Sequence, residues 1–536
     1  MKRKITVMAL LLSMFFTAGT RLWFLSTKEY VNAGVTGATK TKVVSSIRGN
    51  IYDCNFEKLV NCTEKTFAAA KPCIQSADIL KSHLSQQQYL ELLNDIGKGE
   101  LFFGETDGFK TNEETVKCVR VFQRYSEDDL ASHVTGYINA ADNEGVCGIE
   151  KSYDTLLKED NSLLKLRYCV NAKDALLIGD KIEFLPENYY SKKGVKLTID
   201  KQIQKISENA MKLYCNECGA CVVMDADRFE IKAMVSTPSF DRENVGKYLQ
   251  SENSPLLNRA LNAYSVGSVF KSVVAAAAIK YGLDDFVYDC KGSVDVGGNS
   301  FCCSSCVSHG KTDMSSALAN SCNTYFISLA LKLGAKRLLE SANNLGFGQQ
   351  YILCDDIVSD AGYLPPENEV NSDGALANLA FGQGSLLATP LQVATCYCAM
   401  VTDGTLEFPS LVEGVVDTDG SFHENDRKNL SVRALEKNVA EKVRSLLSKN
   451  LEHSNYAFAK PSYNCPAGGK TSTAQTGWYG KNGEEILHSW FAGFVSVGQE
   501  NYVIVVFKEN GSGGAVDCAP IFREISDRII IYRRNS

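Results

Sequence analysis

The N-terminal segment constrains this chain more than any other feature of the sequence. A basic head, Lys2-Arg3-Lys4, precedes an uncharged run from Ile5 to Thr20, and apolar residues resume from Leu22 to Leu25. As a helix, the stretch from Ile5 to Leu25 would be about 31 Å long, which is enough to cross a bilayer. A basic flank keeps the N-terminus in the cytoplasm and directs export of the chain that follows.

We therefore predict a cytoplasmic tail and an uncleaved transmembrane anchor over residues 1–27. The rest of the chain is then extracytoplasmic, on a single-pass protein of the cell membrane. A cleaved signal peptide is the alternative, with Thr17-Ala18-Gly19-Thr20 as its small-residue cleavage site. Trp23, which suits the membrane–water interface, favours the anchor.

The net charge argues against one class of partner. The 536 residues include 56 Lys and Arg against 63 Asp and Glu, so the net charge is −7. Nucleic-acid binding needs a basic face, and we predict no nucleic-acid partner. The hydrophobic fraction of 44% and the charged fraction of 22% are those of a globular protein rather than a disordered one.

The exported part divides into two regions. Residues 28–190 are mixed and charged, with short strand-like runs and a polar helical stretch from Ser85 to Leu93. No cluster with catalytic or metal-ligand spacing stands out among them, so we predict a mixed α/β spacer or interaction domain.

Residues 191–536 show a sharper pattern and are predicted to form one domain. Asp200 is a suitable N-cap for the first helix of this region. Strands near both ends with helices between them indicate an α+β domain whose antiparallel sheet has edges from distant parts of the sequence. The predicted strands and helices are Gly219–Asp225, Glu230–Val235, Trp490–Val495 and Tyr502–Phe507, and Lys201–Tyr214, Ser272–Tyr281 and Pro520–Tyr532.

The first chemical motif opens the Ala-rich helix of this domain with Ser268-Val269-Phe270-Lys271. A serine and a lysine at spacing i, i+3 share one face of a helix, so the amine can reach the hydroxyl. Lysine can act as a base near pH 7 only if its pKa falls by about 3 units, which burial or a second cation can cause. Alone, this motif is weak evidence because short matches occur by chance.

Two further motifs follow in order. Ser321-Cys322-Asn323 offers a hydroxyl and an amide for proton relay and substrate contact, although a helix cap or turn is the alternative reading. Gly468-Gly469-Lys470-Thr471-Ser472-Thr473-Ala474 is a run of small residues with one cation. It is predicted to form an edge strand that pairs with a peptide and presents Lys470 to a carboxylate.

Serine-x-x-lysine, then Ser-x-Asn, then Lys-Thr is the ordered signature of penicillin-binding proteins and serine β-lactamases. The whole chain resembles a class B penicillin-binding protein, a single-pass peptidoglycan D,D-transpeptidase. The resemblance implies a penicillin-binding/β-lactamase-like transpeptidase domain over residues 191–536, preceded by a dimerisation or pedestal domain over 28–190. The resemblance extends to six further segments, which are Arg48–Asp53, Gly148–Asp154, Leu257–Ala260, Phe381–Gly384, Thr389–Gln392 and His488–Gly493.

The resemblance also implies residue roles. Ser268 would be the nucleophile that the penultimate D-Ala of a stem peptide acylates, and Lys271 its general base. Ser321 would relay protons to the leaving amine, Asn323 would bind the substrate amide and hold Lys271, and Lys470 would supply positive potential. These five are the predicted catalytic residues.

The substrate would lie along the third motif. Thr471 would bind the substrate carboxylate, and Ser472 and Thr473 complete the predicted substrate-binding strand. The backbone N–H groups of Ser268 and Thr473 would form the oxyanion hole. The resemblance implies no metal and no organic cofactor, β-lactams as D-Ala-D-Ala mimics that acylate Ser268, and a SEDS-family glycosyltransferase as membrane partner.

The sequence departs from the family at Ser472, where glycine is usual, and at Val266, where proline is usual. Neither change removes a reacting group. Two other functions stay open: a D,D-carboxypeptidase or β-lactamase-type hydrolase, and a catalytically silent scaffold of a cell-wall synthesis complex. The intact serine, lysines and asparagine disfavour the scaffold, and the long N-terminal region disfavours the hydrolase.

The 19 cysteines form the remaining unusual feature. Cys215-x-x-Cys218 and Cys303-x-x-Cys306 together offer four thiols, but the two pairs lie 303 − 218 = 85 positions apart, which does not fit a compact zinc ribbon. A disulfide such as Cys290 with Cys302 is compatible with an extracytoplasmic domain, and buried reduced thiols are the alternative.

Overall fold

A computed structural model describes residues 13–21, 38–111, 113–126, 130–139, 141–158, 162–177, 179, 181–215, 217–425, 431–480 and 482–535. Residues 13–21 are helical (α1), and the rest of the predicted anchor over 1–27 lies outside the described residues. Within these ranges, no helix is both long enough and apolar enough to cross a membrane. The anchor therefore stays a prediction.

Strands and helices both occur throughout the described chain. In chain order they are β1 Ala38–Ile47, β2 Asn50–Tyr52, β3 Thr63–Ala70, β4 Phe102–Thr106, β5 Val116–Gln123, β6 Ile138–Asn139, β7 Glu144–Gly145, β8 Ser162–Val170, β9 Glu183–Glu187, β10 Gly194–Leu197, β11 Gly219–Asp225, β12 Glu230–Thr237, β13 Tyr264–Ser265, β14 Tyr288–Cys290, β15 Ser293–Val296, β16 Asn299–Cys302, β17 Gly310–Thr312, β18 Ile352–Cys354, β19 Ile357–Val358, β20 Leu387–Ala388, β21 Thr405–Glu407, β22 Val412–Val416, β23 Phe422–Glu424, β24 Ser431–Arg433, β25 Ala467–Tyr479, β26 Glu485–Val497 and β27 Glu500–Lys508.

Most of the longer helices lie after residue 200, and one, Gln86–Lys98, lies earlier. After α1 they are α2 Ile74–Leu80, α3 Gln86–Lys98, α4 Ser132–Thr135, α5 Gly148–Ser152, α6 Asp154–Lys158, α7 Lys201–Tyr214, α8 Lys271–Lys280, α9 Met314–Ala319, α10 Asn323–Leu333, α11 Ala335–Asn344, α12 Asp373–Ala380, α13 Pro390–Val401, α14 Lys437–Asn450, α15 Gly514–Asp517 and α16 Ala519–Asn535.

The chain forms two compact units. Unit 1 consists of Met1–Arg48, Cys62–Arg124 and Asp160–Tyr190, and unit 2 of Gly49–Asn61, Tyr125–Glu159 and Ser191–Ser536. The chain passes from unit 1 to unit 2 between residues 190 and 191, which is the domain boundary predicted from the sequence. Two earlier segments, Gly49–Asn61 and Tyr125–Glu159, also belong to unit 2. The role of residues 28–190 as a pedestal stays a prediction.

Unit 1 contains two small antiparallel sheets. Their strand orders are β1-β8-β9 and β4-β3-β5. Helix α3 begins at a capping box, in which the Ser85 hydroxyl accepts from the Gln88 backbone N–H while the Gln88 side chain accepts from the Ser85 N–H. The polar helix predicted after Ser85 is confirmed.

A five-stranded antiparallel sheet is the centre of unit 2, in the order β12-β11-β27-β26-β25. The last three strands come from the C-terminal 70 residues and pair with two strands from near residue 220, so distant sequence forms both edges as predicted. Helix α7 starts where expected, because the Asp200 carboxylate accepts from the backbone N–H groups of Gln202 and Ile203 at 2.9 and 3.1 Å.

Side chains of the sheet alternate between two cores. On β11, Val222 and Met224 pack into a core with α8, α13 and α14, whereas Cys221 and Val223 pack into a second core with α7 and α16. This alternation is the period of two that a sheet covered on both faces requires. The α+β class predicted for this region is confirmed.

Candidate active site

The nucleophile candidate Ser268 lies in a tight turn against β25. A 3-10 turn, Gly267–Phe270, leads directly into α8. Gly267 has a φ of +61°, and a Cβ at this position would approach Ser472 Oγ to 2.4 Å. Only glycine fits there, because other residues would meet both backbone strain and a collision. The turn is also tied to Gly382, whose carbonyl accepts from the Gly267 N–H at 2.9 Å.

The contact with Gly382 explains why the Phe381-Gly382-Gln383-Gly384 motif has a glycine at its second position. Gly382 has a φ of +76°, and a Cβ would meet the Gly267 carbonyl oxygen at 2.1 Å. Sequence reasoning recognised this motif only by resemblance. Its physical role is a close backbone approach behind the nucleophile turn.

Lys271 follows one turn after Ser268 and is fully buried. Its Nζ donates to the Asn323 Oδ1 at 2.6 Å, to the Ser321 backbone carbonyl at 2.7 Å and to Ser321 Oγ at 3.1 Å. The Asn323 Nδ2 donates to the Cys302 carbonyl at 2.8 Å, which fixes the amide so that its oxygen faces the amine. The predicted holding contact between Asn323 and Lys271 is therefore present.

Ser321 connects the three motifs. Its Oγ donates to Ser268 Oγ at 3.1 Å and accepts from Lys271 Nζ at 3.1 Å and from Lys470 Nζ at 3.2 Å. Within the described residues, no direct hydrogen bond joins Ser268 to Lys271, so the path between them runs through Ser321. A hydroxyl can rotate to donate in either direction, which suits a proton relay.

Lys470 reaches the same point from β25. It is fully buried, and its Nζ also donates to the Thr471 carbonyl at 2.9 Å. No carboxylate is among the groups that bind either lysine in the described part of the chain. Two buried amines thus lie beside one hydroxyl without a carboxylate hydrogen-bonded to either of them in the described residues.

This arrangement lowers the pKa of both amines. Burial lowers the pKa of Lys271 well below its ordinary value, and the nearby charge of Lys470 lowers it further. Burial lowers the pKa of Lys470 to about 7. The pKa of Lys271 thus moves in the direction that a base acting near neutral pH requires, and the main cause is desolvation.

The strand β25 is the edge strand predicted for the third motif. Among the described strands it pairs with β26 alone, in the register Lys470 with Ala492 and Thr471 with Phe491. The His488–Gly493 segment therefore lies directly beside the Lys-Thr-Ser segment. The outer edge of β25 leaves backbone groups available to an extended peptide.

The three predicted substrate-binding residues on β25 differ in exposure. Thr473 is exposed and Thr471 is half-buried, whereas Ser472 is only 2% exposed. The Ser472 Oγ donates to the Val266 carbonyl at 2.8 Å, beneath the nucleophile turn. The Ser472 hydroxyl therefore lies outside the proposed substrate groove. Residues along a strand point alternately to its two faces.

The cysteines pair differently from the example expected. Cys302 is disulfide-bonded to Cys306, and Cys290 is a free thiol. The expected Cys290–Cys302 disulfide is wrong, since β16 ends with Cys302 turned toward the short loop that contains Cys306. Among the described residues, a group able to hold a metal ion forms instead from Cys290, Cys303, His309 and Cys322.

Known proteins resemble this chain over most of its length. The family description "Penicillin binding protein transpeptidase domain" matches residues 219–527. "Stage V sporulation protein D" of Bacillus subtilis is 30% identical over 426 residues, which cover 75% of this chain and 63% of that protein. The chain thus spans a little under two thirds of that relative.

Two further matches cover more of the chain. "Peptidoglycan D,D-transpeptidase MrdA" of Haemophilus influenzae is 25% identical over 522 residues, 88% of this chain and 75% of that protein. A solved structure titled "Structural coordination of polymerization and crosslinking by a peptidoglycan synthase complex" has a TM-score of 0.68 at 23% identity. It covers 98% of both chains. That likeness shows the fold.

Proposed function

We infer a function from one premise: the chain belongs to the penicillin-binding protein transpeptidase family, whose domain matches residues 219–527. The class B resemblance predicted from the motifs is confirmed. We propose that the protein is a serine D,D-transpeptidase that cross-links peptidoglycan stem peptides. The observation that carries this proposal is the hydrogen-bonded set of Ser268, Ser321, Lys271 and Lys470 beside a free strand edge.

In the first step, the stem peptide lies along β25 and its terminal carboxylate binds at Lys470 and Thr471. Ser268 Oγ attacks the carbonyl of the penultimate D-Ala, and the oxyanion accepts from the backbone N–H groups of Ser268 and Thr473. The bond to the terminal D-Ala breaks as an ester forms on Ser268. The Ser268 proton passes to Lys271, and Ser321 delivers a proton to the leaving amine.

In the second step, an amine of another stem peptide attacks the ester carbonyl. A peptide bond forms, the ester breaks and Ser268 Oγ regains a proton through the same groups. Asn323 holds Lys271 throughout and offers its remaining N–H to the substrate amide. β-Lactams, which resemble D-Ala-D-Ala, acylate Ser268 in the same way, and no metal or organic cofactor takes part in these steps.

Labelling with a fluorescent penicillin tests the nucleophile. Membranes or purified protein with wild-type sequence should label covalently, and Ser268→Ala should not, because the ester cannot form. Ser272→Ala, which changes a serine in the first turn of α8, four residues after Ser268, is the matched control and should label. An unlabelled wild type, or a labelled Ser268→Ala, contradicts the proposal.

Analysis of reaction products separates the alternatives. A transpeptidase given a donor stem peptide and an acceptor amine releases D-Ala and forms a cross-linked dimer. A D,D-carboxypeptidase or β-lactamase-type hydrolase releases D-Ala or opened β-lactam without a dimer. A silent scaffold neither labels nor turns over.

The family resemblance also implies a membrane anchor and a partner protein. We propose that residues 1–27 hold the catalytic unit at the outer face of the cell membrane, and that a SEDS-family glycosyltransferase is its partner. The proposal draws support from the basic Lys2-Arg3-Lys4 flank and from the likeness to a chain of a complex described as coordinating polymerization and crosslinking. Fractionation of the full chain, compared with a chain starting at residue 28, tests the anchor.

A further inference from the structure

We propose that Cys290, Cys303, His309 and Cys322 bind one structural zinc ion directly behind the Ser321-Cys322-Asn323 motif. The four residues come from separate parts of unit 2: the end of β14, the turn after β16, the residue before β17 and the residue before α10. Their ligand atoms all lie within 4.8 Å of one another. The site is separate from the proposed reaction and does not depend on it.

Three of the distances within this zinc-ligand cluster match those of a tetrahedral site. The Sγ atoms of Cys290 and Cys303 are 3.8 Å apart, and those of Cys303 and Cys322 are 3.7 Å apart. The Cys290 Sγ lies 3.4 Å from His309 Nδ1. Zinc bonds of about 2.3 Å to sulfur and about 2.0 Å to nitrogen separate tetrahedral ligands by about 3.8 Å for two sulfurs and about 3.5 Å for sulfur and nitrogen.

Burial supports a metal rather than solvent-exposed thiols. Cys290 and Cys322 are fully buried and Cys303 is 3% exposed, while His309 is half-buried at the surface. Four closed ligands with no open position are typical of structural zinc sites, and the set of three thiolates and one imidazole is one of the common ones. Soft sulfur ligands in this geometry select zinc over magnesium, calcium or manganese.

Neighbouring groups complete the surroundings of the sulfurs. The Thr324 hydroxyl, itself buried, lies 3.1 Å from Cys290 Sγ and 3.4 Å from Cys322 Sγ. The Gly292 N–H donates to Cys290 Sγ at 3.4 Å. Donors of this kind orient and stabilise thiolate ligands in metal sites.

A disulfide within the zinc-ligand cluster is the main competing explanation. The sulfurs would have to approach to about 2.05 Å, well below the separations observed. A disulfide would also use only two of the three thiols and leave His309 without a role. A metal uses all four groups at the distances they already have.

The position of Cys322 gives the ion a structural consequence. Cys322 stands between Ser321 and Asn323, which both bind Lys271. A ligand bond at Cys322 Sγ would hold the backbone between these two residues in place. The ion would act as a positioning element and would not touch the reacting atoms.

Metal analysis of the full chain tests the proposal. Protein purified under reducing conditions and supplied with Zn²⁺ should retain one equivalent after desalting, measured by mass spectrometry of metals. Cys290→Ala and His309→Ala should each lose most of it. Cys396→Ala removes a buried free thiol outside the zinc-ligand cluster and should keep it. His309→Ala, at a half-buried position, guards against simple misfolding.

Cobalt substitution gives a second readout. Co²⁺ in the wild type should show thiolate-to-cobalt charge transfer and the intense visible bands of tetrahedral coordination, and His309→Ala should lose them. Three outcomes overturn the proposal: no stoichiometric Zn²⁺ in the supplied wild type, as much Zn²⁺ in Cys290→Ala and His309→Ala as in the wild type, or a Cys303–Cys322 disulfide in place of metal in the reduced and supplied protein.

Discussion

Two buried side-chain clusters share the tripeptide Ser321-Cys322-Asn323, and the charges buried in them are of opposite sign. Around Lys271 and Lys470, two amines are buried beside hydroxyl and carbonyl groups, and desolvation lowers their pKa. Around Cys322, three thiols and an imidazole are gathered so that a cation can compensate buried thiolates. The lysine cluster needs groups that change protonation, whereas the zinc-ligand cluster needs groups that do not.

The tripeptide Ser321-Cys322-Asn323 separates these roles by alternation. The side chains of Ser321 and Asn323 turn to Lys271, and that of Cys322 turns to the sulfurs. The comparison teaches that a motif known for catalysis also carries a scaffold function at its middle residue. It predicts that the two clusters can be damaged separately.

The largest expected effect is on catalysis alone. Lys271→Met removes the base and should lower the second-order rate constant for acylation by a penicillin roughly 10²–10⁴-fold. Zinc content should not change, because Lys271 donates to Ser321 and Asn323 and to no sulfur. Stopped-time labelling and metal analysis of the same preparation measure both.

The control for this change is Lys280→Met, which removes a lysine at the other end of the same helix. It should acylate at the wild-type rate. If Lys271→Met loses its zinc together with its activity, the two clusters are not separable and the comparison fails.

The next effect is on stability. Zn²⁺ at a free concentration a hundredfold above its dissociation constant should stabilise the wild type by about 2.7 kcal/mol, since it binds the folded chain preferentially. His309→Ala should not respond to Zn²⁺, while its acylation rate should fall only severalfold because no reacting group is lost. Thermal unfolding with and without Zn²⁺ measures the difference.

Cys396→Ala serves as the matched control and should respond to Zn²⁺ like the wild type. Loss of acylation in His309→Ala as large as in Lys271→Met would mean that the ion takes part in the chemistry rather than in positioning.

A third test uses pH to sharpen the electrostatic side of the comparison. The pKa of Lys470 is about 7 and lies below its ordinary value, so the amine loses its proton as the pH rises through 7. Acylation by carboxylate-bearing β-lactams should therefore decline on the alkaline side, where kcat/KM reports the free enzyme. Arginine stays charged at all these pH values, so Lys470→Arg should move the alkaline decline upward.

The control is a neutral replacement, Lys470→Gln, which should have no alkaline decline of this origin and a low rate throughout. An unchanged alkaline limb in Lys470→Arg would assign that limb to another group.

The smallest effect concerns the departure from the family at Ser472. Ser472→Gly removes the buried hydrogen bond to the Val266 carbonyl and should cost about 1 kcal/mol of unfolding free energy. Acylation should stay within severalfold, because the hydroxyl lies beneath the nucleophile turn and not in the groove. Ser472→Ala, which keeps the Cβ, separates the lost hydroxyl from the flexibility of glycine. A large acylation defect in Ser472→Ala would place the hydroxyl in the groove after all.

Sequence reasoning performs well where the signal is local. The helix from Lys201, the strand pairs and the spacing of Ser268 and Lys271 all follow from periodicity, capping and helical geometry. The meeting of Ser268, Ser321 and Lys470 across 50 or more residues was predicted only through the family resemblance. Periodicity alone contains no information about which distant elements become neighbours.

The zinc-ligand cluster shows the limit. Its ligands Cys290, Cys303, His309 and Cys322 follow no compact pair pattern. From the sequence, only the Cys215-x-x-Cys218 and Cys303-x-x-Cys306 pairs suggest zinc, and their spacing disfavours it. Of those four thiols only Cys303 joins the zinc-ligand cluster. The motif likewise does not reveal to which face of the strand the Ser472 side chain points. Strand pleating turns alternate residues away from the groove.

The backbone conformation of Ser321 limits which residues can replace it. With a φ of +52°, Ser321 occupies the left-handed region, which glycine and asparagine tolerate and β-branched residues do not. Glycine would suit the backbone but has no hydroxyl, threonine would keep the hydroxyl but strain the backbone, and an asparagine amide cannot pass a proton in the same way. Each of these three replacements therefore loses either the hydroxyl or the backbone conformation, which makes Ser321 a fixed point for an inhibitor designed to contact it.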